Sequence, residues 1–526
     1  MAGKKIILCF DGTCNDPNDA KKKKNIKLEL KDASISNIFK LHLLLGGGVS
    51  KGEEHIKGQK SFYYSGVGTY GNKLLQWFNA GLALPNMDVG RIIKKASVDL
   101  AKNYQKDDEV FIFGFSRGAA IARRFAATMN KHVRAVNPNA PLITVKFLGV
   151  FDTVASIGFP NLDDDKKPIS DVKFENCTVA DTVETALHMV SLDDKRTAYM
   201  PTLMAYDEKR VTEIWFTGGH SDIGGGYRYD GLSDITLNYL IEAIAEQGLE
   251  IRSPLQINFE SDECRELGLA YDDIAIQPNP MGKIHQQDRS LLLEWTLTHR
   301  DLRVHLDQPA DGRDLPLPLI HHTVVDRIHG DSDYRPVSLS KRTLDGRVEN
   351  EISHRVWRPG NTPYQEVKGL GQHLKTGPPA PRKLDVGERA EIIVYANTKL
   401  NRSYVYANKN ETYGFSVDMA QTWFDSGITC GPGGWDRQSE DFPWYREFPI
   451  KWMEDERRCP KADWFEVVGV IGKRDQTPFR VLSYTKSGKY LKSGTQTGEL
   501  FFFANDLEDR YANNLGFIKI TVTRQS

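Results

Sequence analysis

The segment Phe111–Ala119 reads F-I-F-G-F-S-R-G-A and constrains the fold more than any other stretch of the chain. The apolar run from Glu109 to Phe113 predicts a buried strand, and the helix formers that follow Gly118 predict a helix. A serine between two glycines at such a junction is typical of a nucleophile elbow, where a tight, strained turn exposes the serine hydroxyl. The alternative is a turn in which Ser116 only caps the helix. The strand-turn-helix context favours Ser116 as a nucleophile.

Three other predicted strands are each followed by polar residues that suit an active site. These strands and the residues that follow them are Lys5 to Phe10 with Asp11-Gly12-Thr13, Thr144 to Phe151 with Asp152, and Arg210 to Phe216 with the glycine-rich loop around His220. Parallel strands bring their carboxyl ends to one edge of a sheet, so these residues are expected near Ser116.

Ser116, Asp152 and His220 follow one another in the nucleophile, acid, base order of α/β-hydrolases. This order predicts a catalytic triad in which His220 activates the serine and Asp152 orients the imidazole. Taken singly, Asp152 is also compatible with a turn or cap, and His220 with a structural loop histidine. His321 and His322 are rival candidates for the base.

Backbone amides near the serine are candidates for the oxyanion hole. The amide of Arg117 lies in the first turn of the predicted helix, and the amides of Gly12 and Thr13 supply a second donor. The alternative for this second loop is an ordinary Asp-Gly turn. Catalysis of this kind requires no cofactor.

A metal-dependent hydrolase is a rival interpretation of the same loops. Its ligands would be Asp11, His220 and Asp222. No second histidine stands at metal-ligand spacing from these residues, which disfavours the metal site.

Composition excludes several classes of protein. The 526 residues include 69 Lys and Arg against 70 Asp and Glu, so no basic excess points to nucleic acid. No stretch approaches the ~20 apolar residues of a membrane helix. The start of the sequence has no signal-peptide pattern, so we expect synthesis in the cytoplasm without an export signal. The six cysteines form no C-x-x-C pair and predict neither a zinc site nor a disulfide framework.

The order of elements predicts an α/β protein with a second, all-β domain. Residues 1–345 are expected to form a mostly parallel sheet with flanking helices, of α/β-hydrolase type, with Asp181 to Val190 as one of the helices. Residues 346–384 are rich in glycine and proline and predict a linker. Short β-branched and aromatic runs between turns in residues 385–526 predict a β-sandwich.

A loop in this second domain is dense in oxygen ligands. Asp506, Asn513 and Asn514, with nearby carbonyl oxygens, form a candidate calcium site. A turn stabilised by hydrogen bonds from the Asp and Asn side chains explains the same residues equally well.

Five motifs in residues 1–345 together resemble the α/β-hydrolase domain of type VI secretion lipase effectors, the class with a G-F-S-R-G elbow. They are L-C-F-D-G-T-C-N at Leu8 to Asn15, G-V-G-T at Gly66 to Thr69, G-F-S-R-G-A-A at Gly114 to Ala120, G-V-F-D-T-V at Gly149 to Val154, and G-G-H-S-D-I-G-G-G-Y at Gly218 to Tyr227.

This resemblance implies a function and a set of partners. It implies Ser116 as nucleophile, Asp152 as acid and His220 as base of a phospholipase A or related esterase. It also implies a phospholipid or membrane substrate, a type VI secretion carrier, an immunity protein, and delivery into a competitor's periplasm.

Residues 385–526 resemble small bacterial calcium-dependent galactose lectins. The shared signature N-D-x-x-x-x-Y-x-N-N-x-G spans Asn505 to Gly516 and implies that Asp506, Asn513 and Asn514 hold calcium. The chain departs from these lectins in a second loop, where Trp435-Asp436-Arg437 is not followed by their histidine. A glycan- or surface-binding accessory domain is expected, and a carbohydrate-binding protein on an inactive hydrolase scaffold is an alternative function.

Overall fold

The structure is a computed structural model that divides into two compact units, formed mostly by the residues before Gly377 and by those from Gly377 onward. It describes residues 3–12, 15, 32–49, 54–66, 87–155, 177–285, 298–306, 316–342, 348–360, 363–425, 428–439, 450–472, 477–485 and 490–526. Thr13 and most of the G-V-G-T motif lie outside these ranges. Within them, no helix combines the length and apolar character needed to span a membrane.

The first unit is built around one nine-stranded sheet in the order β11-β10-β7-β6-β5-β4-β3-β1-β2. All neighbouring strands in it pair in parallel except β10 and β11, which are antiparallel. Its strands are β1 (Lys5–Phe10), β2 (Gln59–Tyr64), β3 (Glu109–Phe115), β4 (Val145–Phe151), β5 (Val183–Ser191), β6 (Val211–Phe216), β7 (Leu319–His321), β10 (His354–Trp357) and β11 (Gln365–Val367). A separate two-stranded pair consists of β8 (Ser340–Arg342) and β9 (Val348–Glu351). The predicted α/β class with a largely parallel sheet is confirmed.

Helices cover both faces of this sheet. They are α1 (Asn37–Leu44), α2 (Met87–Asn103), α3 (Ser116–Val136), α4 (His220–Gly224), α5 (Gly231–Glu246), α6 (Asp262–Leu267), α7 (Tyr271–Ile274), α8 (His322–Gly330) and α9 (Leu370–Thr376). Alternate residues of β1 belong to different cores: Ile6 and Leu8 pack with α2 and α3, whereas Ile7 and Cys9 pack with α1 and α5. Burial on both faces explains why β1 reads as a continuous apolar run.

One predicted helix is a strand. The helix expected over Asp181 to Val190 is β5, which lies between β4 and β6 and pairs in parallel with both. The intrinsic helix propensity of a segment is a weak effect that tertiary structure can override. Here the two neighbouring strands supply backbone hydrogen-bond partners that the isolated segment lacks.

The segment predicted as a linker contains regular structure. Within residues 346–384, β10 extends the sheet beside β7, β11 pairs with β10, and α9 follows. These strands are only a few residues long and lie among glycines and prolines, so their sequence lacks the periodicity that identifies longer strands.

The second unit consists of antiparallel sheets. Strands β12 (Arg389–Tyr395), β14 (Thr412–Val417), β15 (Trp423–Asp425), β16 (Ile428–Cys430), β19 (Leu491–Lys492) and β21 (Asn514–Arg524) form one sheet, and β13 (Asn401–Ala407), β17 (Val467–Ile471), β18 (Phe479–Arg480) and β20 (Gly498–Ala504) form the other. A short helix, α10 (Leu482–Thr485), follows β18. One hydrophobic core contains Val394 and Ile520 from the first sheet and Val467 and Phe502 from the second, so the two sheets pack on each other.

Candidate active site

Ser116 lies on a tight turn between β3 and α3. Its φ is +57°, in the left-handed region that a non-glycine residue rarely adopts. A Cβ on Gly118 would lie 2.2 Å from the carbonyl oxygen of Phe10, and one on Gly114 would lie 2.7 Å from Cα of Ala119. The two glycines therefore let the turn pass against the backbone of β1 and of its own helix, as the sequence motif predicts.

The structure joins Ser116, His220 and Asp152 by hydrogen bonds. His220 Nε2 lies 2.7 Å from Ser116 Oγ, and His220 Nδ1 lies 2.6 Å from Asp152 Oδ2. Asp152 directly follows β4 and has a φ of +38°, while His220 begins α4 shortly after β6. Both side chains and that of Ser116 are buried. Residues from three separate strand ends thus meet at the carboxyl edge of the sheet.

Electrostatics favour a neutral imidazole beside an ionised carboxylate. Burial alone raises the pKa of Asp152, but the charge of Arg300 and the hydrogen bond with His220 outweigh it, so the pKa lies well below its usual value. Burial lowers the pKa of His220, and the opposing hydrogen bond and charge of Asp152 do not fully cancel that effect. A neutral imidazole is the form that can accept the serine proton.

Side chains that sequence analysis missed surround His220. Asp194 Oδ2 accepts the backbone N–H of His220 at 3.0 Å and pairs with Arg196 Nη2 at 2.6 Å. The ring centroids of Phe115 and Tyr199 lie 4.8 Å and 4.9 Å from the centroid of the His220 imidazole. These contacts hold the histidine backbone and ring in place.

The signal for this loop was present in the sequence. Asp193 and Asp194 follow the end of β5 as Asp152 follows β4. Because a helix is predicted for Asp181 to Val190, the sequence does not indicate that Asp193 and Asp194 follow a strand. Arg300, which contacts Asp152, had no local signal at all.

Backbone donors for an oxyanion are only partly in place. The N–H of Gly12 donates to Asp11 Oδ1 at 2.6 Å, so it is engaged within its own turn. Burial raises the pKa of Asp11 to about 6, although hydrogen bonds from Ser36 and Tyr63 partly lower it. Arg117, the other predicted donor, is the second residue of α3. Thr13 lies outside the described residues.

The residues of the rival metal site do not converge on one point. Asp222 Oδ2 accepts the N–H of Gly219 at 2.8 Å, and its Oδ1 lies 2.5 Å from His285 Nδ1. The carboxylate of Asp11 instead accepts a hydrogen bond from the Ser36 hydroxyl. Among the residues that the structure describes, no cluster of three or more His, Cys, Asp or Glu side chains could hold a metal ion.

The rival histidines have other partners. His321 Nδ1 lies 2.9 Å from Thr323 Oγ1, and its ring stacks on Phe216 and Trp357. His322 Nδ1 lies 2.8 Å from Asp326 Oδ2. Neither ring has a hydrogen bond with Ser116, so His220 is the histidine that the fold brings to the serine.

Asp425, which the sequence does not indicate as a ligand, lies near the candidate calcium loop of the second unit. Asp425 lies opposite Asn514 in the β15–β21 pair, and the negative charges of Asp425 and Asp506 repel each other. Burial and this repulsion raise the pKa of Asp425 to about 7. Asn514 Nδ2 donates to Asp506 Oδ2 at 3.0 Å, while Asn514 Oδ1 is buried without a partner among the described residues.

The other residues of the lectin-like signature have structural contacts. Asn505 Nδ2 donates to the carbonyl oxygens of Cys459, Ala462 and Asp463. Asn513 ends a short 3-10 helix before β21. Asp506 Oδ1 also accepts a hydrogen bond from the N–H of Leu507 at 2.7 Å.

One family model matches part of the chain. Residues 4–141 and 129–243 match the family described as "T6SS, Phospholipase effector Tle1-like, catalytic domain". These ranges contain Ser116, Asp152 and His220.

Individual relatives are distant. An uncharacterized protein of Saccharomyces cerevisiae is 24% identical over 37% of this chain and 32% of its own length, so the chain spans about a third of that relative. A crystal structure of an uncharacterized protein from Pseudomonas aeruginosa has 20% identity and a TM-score of 0.31, covering 52% of this chain and 49% of that one.

A structure of the Tle1 effector bound to the VgrG spike of the type 6 secretion system has 22% identity and a TM-score of 0.27, covering 43% of this chain and 51% of that one. TM-scores this low do not establish a common fold. The family match remains, and through it the part of the chain that contains the Ser116 site is similar to the catalytic domain of type VI secretion phospholipase effectors.

Proposed function

We propose that the first unit is a serine esterase of the α/β-hydrolase type that cleaves acyl esters of phospholipids, in the manner of a phospholipase A. The observation that supports it most is the continuous hydrogen-bonded series from Ser116 through His220 to Asp152, with the serine on a left-handed turn. Nucleophile, base and orienting acid within hydrogen-bond reach are the general pattern of nucleophilic catalysis. The family match over the same residues favours a lipid ester as substrate.

In the proposed mechanism, Ser116 Oγ attacks the ester carbonyl carbon while His220 Nε2 takes the hydroxyl proton. Asp152 holds the imidazole and stabilises its positive charge. The amide of Arg117 donates to the oxyanion. The bond to the lysophospholipid oxygen then breaks, and His220 returns the proton to that oxygen. His220 then takes a proton from water, which attacks the acyl carbon; the bond to Ser116 Oγ breaks, His220 returns the proton to that oxygen, and the fatty acid is released.

The family match is the support for the remaining proposed roles. A type VI secretion effector is carried out of the producing cell, so a secretion carrier and a membrane in the target cell's periplasm are the proposed partners. A producing cell would also need an immunity protein against such a lipase. Residues 385–526 are proposed as the accessory domain that docks the enzyme on a glycan or membrane surface.

We also propose a calcium site in the second unit, formed by the oxygens of Asp506, Asn513 and Asn514 with Asp425 as a further ligand. The buried, unpartnered Oδ1 of Asn514 beside two carboxylates suits a hard cation that prefers oxygen ligands. Calcium there would stabilise the loop and plays no part in ester hydrolysis.

Reaction with a fluorophosphonate tests the proposed enzyme. We expect wild type to be labelled and Ser116→Ala to lose both labelling and phospholipid hydrolysis, while its melting temperature changes little. Ser221→Ala, next to His220 but outside the hydrogen-bonded series, is the matched control and should still be labelled.

Unlabelled, folded wild type without esterase activity would favour a binding protein on an inactive scaffold. Hydrolysis that survives Ser116→Ala and is lost on chelation would favour the metal-dependent alternative.

A further inference from the structure

We propose that Arg300 is a positioning residue of the Ser116 site: its guanidinium fixes the Asp152 carboxylate toward His220, and its charge limits how readily the imidazolium forms. This inference rests on the proposed serine hydrolase and adds a residue that tunes its base. Arg300 lies 148 positions from Asp152 in the sequence, outside the residues that match the family.

The planar guanidinium of Arg300 forms a bidentate pair with the Asp152 carboxylate. Nη1 donates to Oδ1 at 2.6 Å and Nη2 donates to Oδ2 at 2.9 Å. The N–H of Ser191 adds a bond to Oδ1 at 3.0 Å, and His220 Nδ1 adds one to Oδ2 at 2.6 Å. Each carboxylate oxygen therefore has two partners, and the plane of the carboxylate is fixed relative to the imidazole.

The guanidinium is itself anchored from two sides. Nη1 donates to the carbonyl oxygen of Ser191 at 2.9 Å, and Nη2 donates to that of Tyr199 at 2.5 Å. Arg300 is only 2% exposed. A lysine would keep the charge but has no rigid fork that can satisfy this geometry.

The position of this cation has a chemical consequence. The guanidinium group of an arginine side chain carries a positive charge. When His220 takes the proton of Ser116, a second positive charge appears on the other side of the same carboxylate. Two cations then share one anion, so Arg300 makes the imidazolium less favourable than it would be beside Asp152 alone.

Other groups also act on the imidazole. In the described part of the chain, the charged or titratable side chains around His220 include Asp152, Asp194, Arg196, Tyr199 and Arg300. Asp194 pairs with Arg196, so these two charges largely offset each other. What distinguishes Arg300 is direct contact with the carboxylate that supports the imidazole.

The test is the pH dependence of fluorophosphonate labelling of Ser116, measured as a second-order rate constant on the full chain. Wild-type labelling establishes the proposed hydrolase, whatever Arg300 does. For Arg300→Gln we expect the acid limb of the profile to move up by about one pH unit, since removing a nearby charge shifts a titration by that order. A folded Arg300→Gln protein whose acid limb is unchanged would overturn the proposal.

Arg300→Lys keeps the buried positive charge but loses the bidentate geometry, so it separates these two effects. It also serves as the test variant if Arg300→Gln does not fold. We expect its acid limb to stay near that of wild type and its maximal labelling rate to fall about tenfold or more, because the fork no longer orients Asp152. An Arg300→Lys protein whose maximal labelling rate and acid limb both equal those of wild type would also overturn the proposal.

Arg123→Gln is the matched control. Arg123 is also buried and donates to the carbonyl oxygens of Thr202 and Leu203, but it has no hydrogen bond to Asp152. A purely structural role for a buried arginine predicts the same pH profile for both glutamine variants. Our proposal predicts a shifted acid limb for Arg300→Gln only.

Discussion

At the scale of single residues, the Ser116 site combines backbone strain with a balanced set of charges. Ser116 and Asp152 both have positive φ, a conformation that costs free energy and persists only where surrounding contacts determine it. For Asp152 those contacts include Arg300 and the N–H of Ser191. Strain at both ends of the hydrogen-bonded series sets the direction of each side chain toward His220.

The lowered pKa of His220 predicts how activity depends on pH. Since burial holds this pKa below its ordinary value, the imidazole stays neutral, and competent as a base, at pH values where a free histidine is already half protonated. We expect kcat/KM for a soluble ester to fall only below about pH 6.5, the usual midpoint for histidine. A pH–rate profile measured at constant ionic strength checks this. An acid limb above that pH would contradict it.

At the scale of elements, the close contact between α3 and the end of β1 determines where the serine lies. A Cβ at Gly118 would meet the carbonyl oxygens of Phe10 at 2.2 Å and Asp11 at 2.3 Å. These are backbone atoms and cannot rotate away, so a larger residue would push the helix off the strand.

We therefore expect Gly118→Ala to lower the free energy of unfolding by about 2 kcal/mol or more, and to lower the rate of Ser116 labelling as well. Gly90→Ala is the control, because a Cβ on this glycine of α2 would meet nothing within 4 Å. In an open helical position the same substitution should stabilise by roughly 0.5–1 kcal/mol. Urea denaturation compares the two, and equal effects would argue against steric contact as the cause.

The elements also show where sequence analysis succeeds and fails. The strand, turn and helix around Ser116 follow from local pattern, because glycine spacing and apolar runs report the turn directly. Local pattern predicts a helix for β5, because its partner strands β4 and β6 are distant in sequence. The short strand β10 falls within the predicted linker for the same reason, since its partner β7 is also distant.

At the scale of the whole molecule, the two units have different chemistry. The parallel sheet of the first unit gathers the Ser116 site at one edge. The antiparallel sheets of the second unit bring Asp425 and Asn514 opposite each other, next to Asp506. We expect these units to respond to different ligands.

Calcium should raise the melting temperature of the second unit in the full chain, measured by calorimetry with magnesium as the comparison cation. Because burial raises the pKa of Asp425 to about 7, protons compete with the cation, and the shift should be larger at pH 8 than at pH 6. Asp425→Asn should abolish most of the shift, whereas Asp418→Asn, at an exposed turn, should keep it. An equal response of both variants would exclude Asp425 as a ligand.

The turn at Ser116, the order of Ser116, Asp152 and His220 along the chain, and the α/β class of the first unit can all be inferred from the sequence alone. These depend on residue spacing along one strand-turn-helix junction and on polar residues that directly follow apolar runs. The hydrogen bonds of Arg300 with Asp152, and the charge repulsion between Asp425 and Asp506, depend on the tertiary structure. Such contacts form between segments far apart in the chain, and no local pattern encodes which buried charges will meet once the strands have paired.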